Sequence, residues 1–260
     1  MSESWGNNAD QINPFKLGAV YRPAPPQVPM LRATTVYKPL PTMCRWDRDI
    51  DLVGEDGLPD ALGNNDIGNC VPCAGLRQMQ LWTGDGRKPT VEQANMLLAS
   101  WQGSPTYGML TDVAFGIWSR QGFRWSDQRL IVPRWTVVEA DGAAPDFITL
   151  KEAIHLLGGV LAVFQMPKGA MQVDRWDEPR LGTPDSADIG AHCVLLAGYD
   201  AASFYAVSWG HSIPVSYAFI RSRLKQASAF VSDSWCRAGR SPSGLTFDEI
   251  KGIGARLRGV

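Results

Sequence analysis

The sequence predicts an α+β fold in which helices come first and antiparallel strands follow. Three observations carry this expectation. Between residues 70 and 157, two boxes of the form Thr-x-x-Gln/Glu and apolar residues at helical spacing mark helices. After Gly158-Gly159 the pattern changes to short apolar or alternating runs separated by turns, which is how strands read. At 260 residues and 45% hydrophobic content, the chain can bury a full core as one domain with extensions.

The first element is an arm, residues 1–42. Pro14, Pro23, Pro25, Pro26, Pro29, Pro39 and Pro41 impose extended or polyproline geometry, and the segment shows neither helical nor strand periodicity. Such a composition fits a disordered leader. It equally fits an arm ordered by lying on its own domain or on neighbouring subunits, so protein partners are expected through residues 1–42.

The helices come next. A central helix is expected over residues 70–82, ending before the turn Gly84-Asp85-Gly86. Thr90-Val91-Glu92-Gln93 caps a second helix to about Trp101, with Met96, Leu97 and Trp101 on one face. Residues 111–120 form a third, stopped at Gly122, and Thr149-Leu150-Lys151-Glu152 caps a fourth that ends at Gly158-Gly159. His155 lies inside that last helix and reads as a partly exposed helix residue. Strands are expected at 160–166, 193–199, 203–209, 215–220 and 229–235. Residues 237–260 are expected to be a solvated tail with one short helix, where Arg237, Arg240, Lys251, Arg256 and Arg258 sit beside Asp248 and Glu249.

Charge narrows the function classes. The formal net charge is -1, so no nucleic-acid partner is expected. No run of eighteen apolar residues is present, and residues 1–10 are polar without the charged-then-apolar order of a signal peptide. Cytoplasmic synthesis and no membrane contact are the expectations. Five cysteines are an odd number in a chain too large to need staples, and mostly reduced thiols are expected.

The chemistry concentrates in two segments. Cys70 ends the loop Gly63-Asn64-Asn65-Asp66-Ile67-Gly68-Asn69 and opens the central helix. A thiol at a helix N-terminus feels the positive end of the helix dipole, which favours thiolate. His192 opens the apolar strand Ala191-His192-Cys193-Val194-Leu195-Leu196-Ala197-Gly198-Tyr199-Asp200, and a histidine brought beside such a thiol can hold the resulting ion pair. Cys70-Val71-Pro72-Cys73 has other readings. Zinc is disfavoured because Cys44, Cys193 and Cys236 are scattered singly, and a dithiol redox centre because the residues before Cys70 are polar loop rather than strand. Plain packing of two small apolar residues stays open.

With Ser203-Phe204-Tyr205-Ala206-Val207-Ser208-Trp209-Gly210 the pattern is complete, and the chain resembles the papain-like cysteine peptidases, especially their bacterial and phage-encoded relatives. Where those proteins show Q-G-x-x-G-S-C-T-A, G-H-A-V-x-x-V-G-Y-D and N-S-W-G, this chain has N-N-D-I-G-N-C-V-P, A-H-C-V-L-L-A-G-Y-D and V-S-W-G in the same order. The resemblance implies a papain-like domain over residues 43–236, a helical N-terminal lobe packed on an antiparallel strand-rich lobe. The cleft between the lobes would carry cysteine on one wall and histidine on the other. It implies Cys70 as nucleophile, His192 as its proton acceptor, Asn64 six residues before Cys70 as the oxyanion donor, and Trp209 as the ring that shields the histidine's hydrogen bond. In a second register Cys73 is the nucleophile, but six residues back then lies Ile67, which has no side-chain donor.

Two positions depart from the pattern: Asn64 carries the amide of the family glutamine on a shorter stem, and Val207 stands where the family has asparagine. The family's histidine is oriented by that asparagine of N-S-W-G, and Val207 offers no acceptor, so either the orienter is lost or Ser208 or a main-chain carbonyl replaces it. Together with the arm, this puts first a papain-fold protein that is catalytically impaired or silent and serves as a structural or binding component of a larger assembly such as a phage virion. The alternative is an active thiol hydrolase that cleaves peptide or amide bonds through Cys70 and His192. Neither reading calls for a cofactor or a metal.

Overall fold

The computed structural model describes residues 16–21, 39–127, 129–139, 145–172, 174–179 and 182–255. Pro14, Pro23, Pro25, Pro26, Pro29, Arg256 and Arg258 lie outside the described residues. The central helix α1 (Cys70–Thr83) is buried almost all round, its polar Arg77, Gln78 and Gln80 included. It ends at Gly84, whose backbone φ of 50° lets its amide turn back to the carbonyl of Gln80. In α2 (Val91–Ser100) the expected capping box is formed: Thr90 Oγ1 accepts from the Gln93 amide at 3.2 Å, and Gln93 Oε1 accepts from the Thr90 amide at 3.0 Å. The third helix, α3 (Thr111–Gln121), stops at Gly122 as expected.

The fourth helix departs from its expected start. Helix α4 (Phe147–Leu157) begins earlier, with Asp146 as its cap and Thr149 already inside, donating from Oγ1 to Asp146 Oδ2 at 2.6 Å. Leu150, Ala153, Ile154 and Leu157 form one buried stripe with either start, and the Asp146 carboxylate adds the earlier turn by accepting from the Ile148 amide at 3.0 Å. The C-terminal carbonyls of α4 take indole N–H bonds: Trp235 Nε1 to Leu156 O, Trp82 Nε1 to Leu157 O, and Trp46 Nε1 to Ile154 O, which also accepts from the Gly158 amide. These three tryptophans tie the helical lobe to the sheet.

The strands, in chain order, are β1 (Ala19–Val20), β2 (Cys44–Arg45), β3 (Met109–Leu110), β4 (Phe123–Ser126), β5 (Arg129–Ile131), β6 (Arg134–Glu139), β7 (Val160–Pro167), β8 (Asp188–Tyr199), β9 (Ser203–Ser208), β10 (His211–Ser216) and β11 (Leu224–Val231). The main sheet runs β10-β9-β8-β7-β11-β6 with antiparallel neighbours, and β4 and β5 form a separate hairpin. The architecture is the expected α+β one. Two expected strands change type. The 215–220 run becomes the end of β10 followed by α5 (Tyr217–Arg223), because Ser216 caps a helix by accepting from the Phe219 amide at 3.2 Å. The 229–235 run ends at Val231, and Ser232 caps a short 3-10 turn, Asp233–Trp235.

The tail also differs from its expected solvation. Helix α6 (Phe247–Ala255) packs on β11 with Ile250 only 1% exposed, and Arg237 donates to the carbonyls of Leu81 and Trp82 at the end of α1. The amphipathic pattern of 245–250 was masked by its charges.

The described part of the arm lies between the lobes. Lys16 donates its amide to Asn64 O at 3.0 Å, β1 runs parallel to β3 of the helical lobe, and Ala19 pairs antiparallel with Ala191 of β8. Residues 16–21 thus lie on the chain's own domain.

Candidate active site

The thiol of Cys70 is placed by the start of α1. Asn69, the residue before it, makes no side-chain cap; its Nδ2 donates to Leu62 O at 3.0 Å and braces the loop instead. The first amides of α1, that of Cys70 among them, therefore keep their donor capacity toward the site. The backbone amide of Cys193, next to His192, donates to Cys70 Sγ at 3.5 Å, and the nearby backbone amides of Gly18, Val71 and Cys70 itself also favour the thiolate. Burial is the larger influence and pushes the thiol up to about 11, although these amides pull it down.

Cys73, one turn along, points elsewhere. Its Sγ lies against the carbonyls of Ala61 (3.8 Å) and Leu62 (3.7 Å), and burial raises its thiol well above the usual range. Cys70 thus lies against β8 and Cys73 against the carbonyls of the loop before α1, and both border the same cavity.

His192 is fully buried on β8. Its Nε2 and Ser208 Oγ are 2.7 Å apart, and Nδ1 has no hydrogen-bond partner among the described residues. In the tautomer with the proton on Nε2, the ring donates to Ser208 and Nδ1 presents its lone pair. Burial alone pushes the imidazole down to about 3. The indole of Trp209 stacks on the imidazole with centroids 4.2 Å apart and planes 13° off parallel. That stacking depends on a left-handed turn, Trp209 at φ 49° and Gly210 at φ 77°. A Cβ on Gly210 would lie 2.4 Å from the Asp60 amide nitrogen, so the turn requires glycine.

Val207, the position of the missing asparagine, is buried and offers no acceptor; the hydroxyl one residue later stands on the ring instead. Asn64 is 2% exposed and donates one amide hydrogen to Ile67 O at 3.1 Å, which leaves the second free. A cavity of about 20 Å³, room for one water, is lined by Asn64, Cys70, Cys73, Cys193, Ser208 and Trp209 among others. Among the described residues no three His, Cys, Asp or Glu side chains converge as metal ligands. His155 lies apart from this site, stacked on Trp46 with centroids 6.1 Å apart.

Several residues of the site carry no motif. Trp176, edge-on to both His192 (6.3 Å) and Trp209 (6.0 Å), closes the ring cluster from a segment with no strand or helix periodicity. Gly18 and Gly108 meet the loop before Cys70 from two distant parts of the chain. The available signal for Gly18 was a glycine between Pro14 and Pro23 of the arm.

No protein-family model matches the chain, and no curated protein matches it by sequence. Solved structures do. Xylellain, a cysteine protease from Xylella fastidiosa, superposes with a TM-score of 0.51 at 14% identity, covering 84% of this chain and 96% of that one. Digestive procathepsin L 3 of the Tenebrio molitor larval midgut gives 0.53 at 14% identity, covering 86% and 78%. ProCathepsin B S9 from Trypanosoma congolense gives 0.54 at 13% identity, covering 84% and 86%. At these identities the likeness is one of fold, and the fold is papain-like.

Proposed function

We propose that this chain is a papain-fold thiol hydrolase acting on peptide or amide bonds, with Cys70 as nucleophile and His192 as its base. The observation that carries the reading is the hydrogen bond between His192 Nε2 and Ser208 Oγ, which supplies an orienter where the sequence has lost one. Nδ1 of His192 takes the proton of Cys70 as the sulfur attacks the carbonyl. The Cys70 amide and the free hydrogen of Asn64 Nδ2 hold the resulting oxyanion. The same imidazole then gives its proton to the leaving amine, and water releases the acyl group from the sulfur.

With the arm in place the pair is held neutral, since burial pushes the thiol up and the imidazole down. Turnover therefore needs the cleft emptied and water admitted. The test uses the full chain with Leu17→Asp, a charge placed in the arm's partly buried apolar anchor. This variant should hydrolyse a fluorogenic peptide library. Adding Cys70→Ala or His192→Ala should remove at least about 10³-fold of that rate, and Cys73→Ser should keep it. An opened chain that alkylates freely at Cys70 and hydrolyses nothing overturns the reading.

That outcome is the one favoured by a second reading, a silent papain-fold component of a larger assembly such as a virion. The neutral, buried Cys70 and His192 under the arm support it. Its mark would be concentration-dependent mass in sedimentation, from arms exchanged between subunits.

A further inference from the structure

Three glycines from three parts of the chain meet beside Cys70. Gly18 comes from the arm, Gly68 from the loop before α1, and Gly108 from the turn before β3. A Cβ on Gly18 would lie 2.2 Å from the carbonyl oxygen of Gly68, 2.3 Å from its carbonyl carbon and 2.4 Å from its Cα. All three are backbone atoms, and none can swing aside. On the other wall, a Cβ on Gly108, whose φ is 72°, would lie 1.8 Å from the Gly18 carbonyl oxygen.

The width of this slot is fixed by hydrogen bonds. Gly68 donates to Pro105 O at 2.9 Å, which ties the Cys70 loop to the turn bearing Gly108. That turn is closed on itself, since Ser104 and Gly108 exchange both backbone bonds at 2.8 Å. Widening the slot for one methyl group would break these bonds or move the start of α1. The occupant is held along its backbone: Lys16 donates to Asn64 O at 3.0 Å, Met109 donates to Gly18 O at 2.8 Å, and Ala19 pairs with Ala191. Leu17 packs against the core with its Cδ1 near Gly190, and Ala19 is buried.

We propose that the cleft beside Cys70 is a binding seat for an extended polypeptide strand keyed to glycine. The strand runs in the arm's direction, with a bulky apolar residue, a glycine and a small residue where Leu17, Gly18 and Ala19 sit. The arm is its resident occupant, and a strand of the same pattern from another polypeptide competes for it. Backbone pairing on both edges supplies binding that is blind to sequence, and the glycine slot supplies the selection. The seat's control over substrate entry rests on the hydrolase reading above; the seat as a binding site does not.

The experiment follows Cys70 alkylation by iodoacetamide in the full-length Leu17→Asp chain, which leaves the slot intact. Unseating the arm should raise the rate at least about tenfold, and the peptide acetyl-Lys-Leu-Gly-Ala-Val-Tyr-amide should slow it again. The same peptide with alanine for glycine should need at least about tenfold more concentration, the consequence of forcing a methyl into a closed backbone slot. Equal protection by the two peptides, no protection by either, or an unchanged rate in Leu17→Asp overturns the proposal. If circular dichroism shows Leu17→Asp unfolded, Gly18→Ala takes its place: a rise in Cys70 alkylation supports the slot, and the parent's rate overturns it. Protection needs no turnover. A chain that binds the glycine peptide and hydrolyses nothing keeps the seat and loses the hydrolase; one that hydrolyses without glycine selection does the reverse.

Discussion

Ser208 Oγ stands 2.7 Å from Nε2 of His192, one residue after Val207 on β9. Adjacent residues of a strand point to opposite faces, but β9 ends at Ser208 and the chain turns through Trp209 and Gly210, which lets the hydroxyl reach the ring. Ser208→Ala leaves the buried Nε2 without a partner and should cost about 1–3 kcal/mol in denaturant unfolding. In an arm-released chain it should also lower peptide hydrolysis by about 10²-fold or more, by letting the imidazole change tautomer. Unchanged stability and turnover would remove Ser208 from the site.

Acid should destabilise the fold through His192. Its ordinary value of 6.5 falls to about 3 on burial. The unfolded ring binds a proton as pH drops through 6.5 and the folded ring does not until about 3. Stability present above pH 6.5 is therefore lost as pH falls across that window, by up to about 1.4 kcal/mol per unit. Melting temperatures between pH 7 and 4 should slope accordingly, and His192→Gln should flatten that slope.

Alkylation of the parent chain should be slow. A thiol pushed from 9.0 to about 11 holds about 100-fold less thiolate at pH 8, so Cys70 should react about 100-fold more slowly than a free thiol. Peptide mapping after a timed exposure to iodoacetamide reads this directly. A rate near that of the free thiol would mean that the arm does not cover the sulfur.

Arg77 is 4% exposed and reaches Asp60 through both its carbonyl and its carboxylate, Asp51 through its carbonyl and Gln80 through Oε1. The Asp60 carboxylate also accepts from the Leu62 amide at 3.0 Å, so it links α1 to the loop that leads to Cys70. Asp60→Ala takes the counter-charge from a buried guanidinium and should cost about 2–3 kcal/mol. Urea titration would show it as a lower midpoint at constant slope.

Trp82→Phe keeps most of a ring and removes one donor. The Leu157 carbonyl, which takes that donor at 2.9 Å, would be left buried at the C-terminus of α4. A cost of about 1–3 kcal/mol is expected in the same titration.

The sequence by itself determined the order of helices and strands and the position of Cys70 at a helix start, while the pairing of that segment with the His192 strand was implied only by the resemblance to the papain-like pattern. The element order and that helix start follow from local rules: capping by Thr90, glycine stops at Gly84 and Gly158, and apolar runs along β8 and β9. Two boundaries moved because Asp146 and Ser216 cap helices that the sequence pattern does not start there, and burial of Ile250 outweighed the charges of the 245–250 segment. Only the tertiary structure decided that Ser208 rather than residue 207 meets His192, that Cys73 lies against the Ala61 and Leu62 carbonyls, and that Gly18 lies against Gly68. Each of those joins residues through side-chain direction or backbone approach between distant segments. Spacing along a chain fixes a period, but contact between distant segments is set by how the packed lobes close on one another.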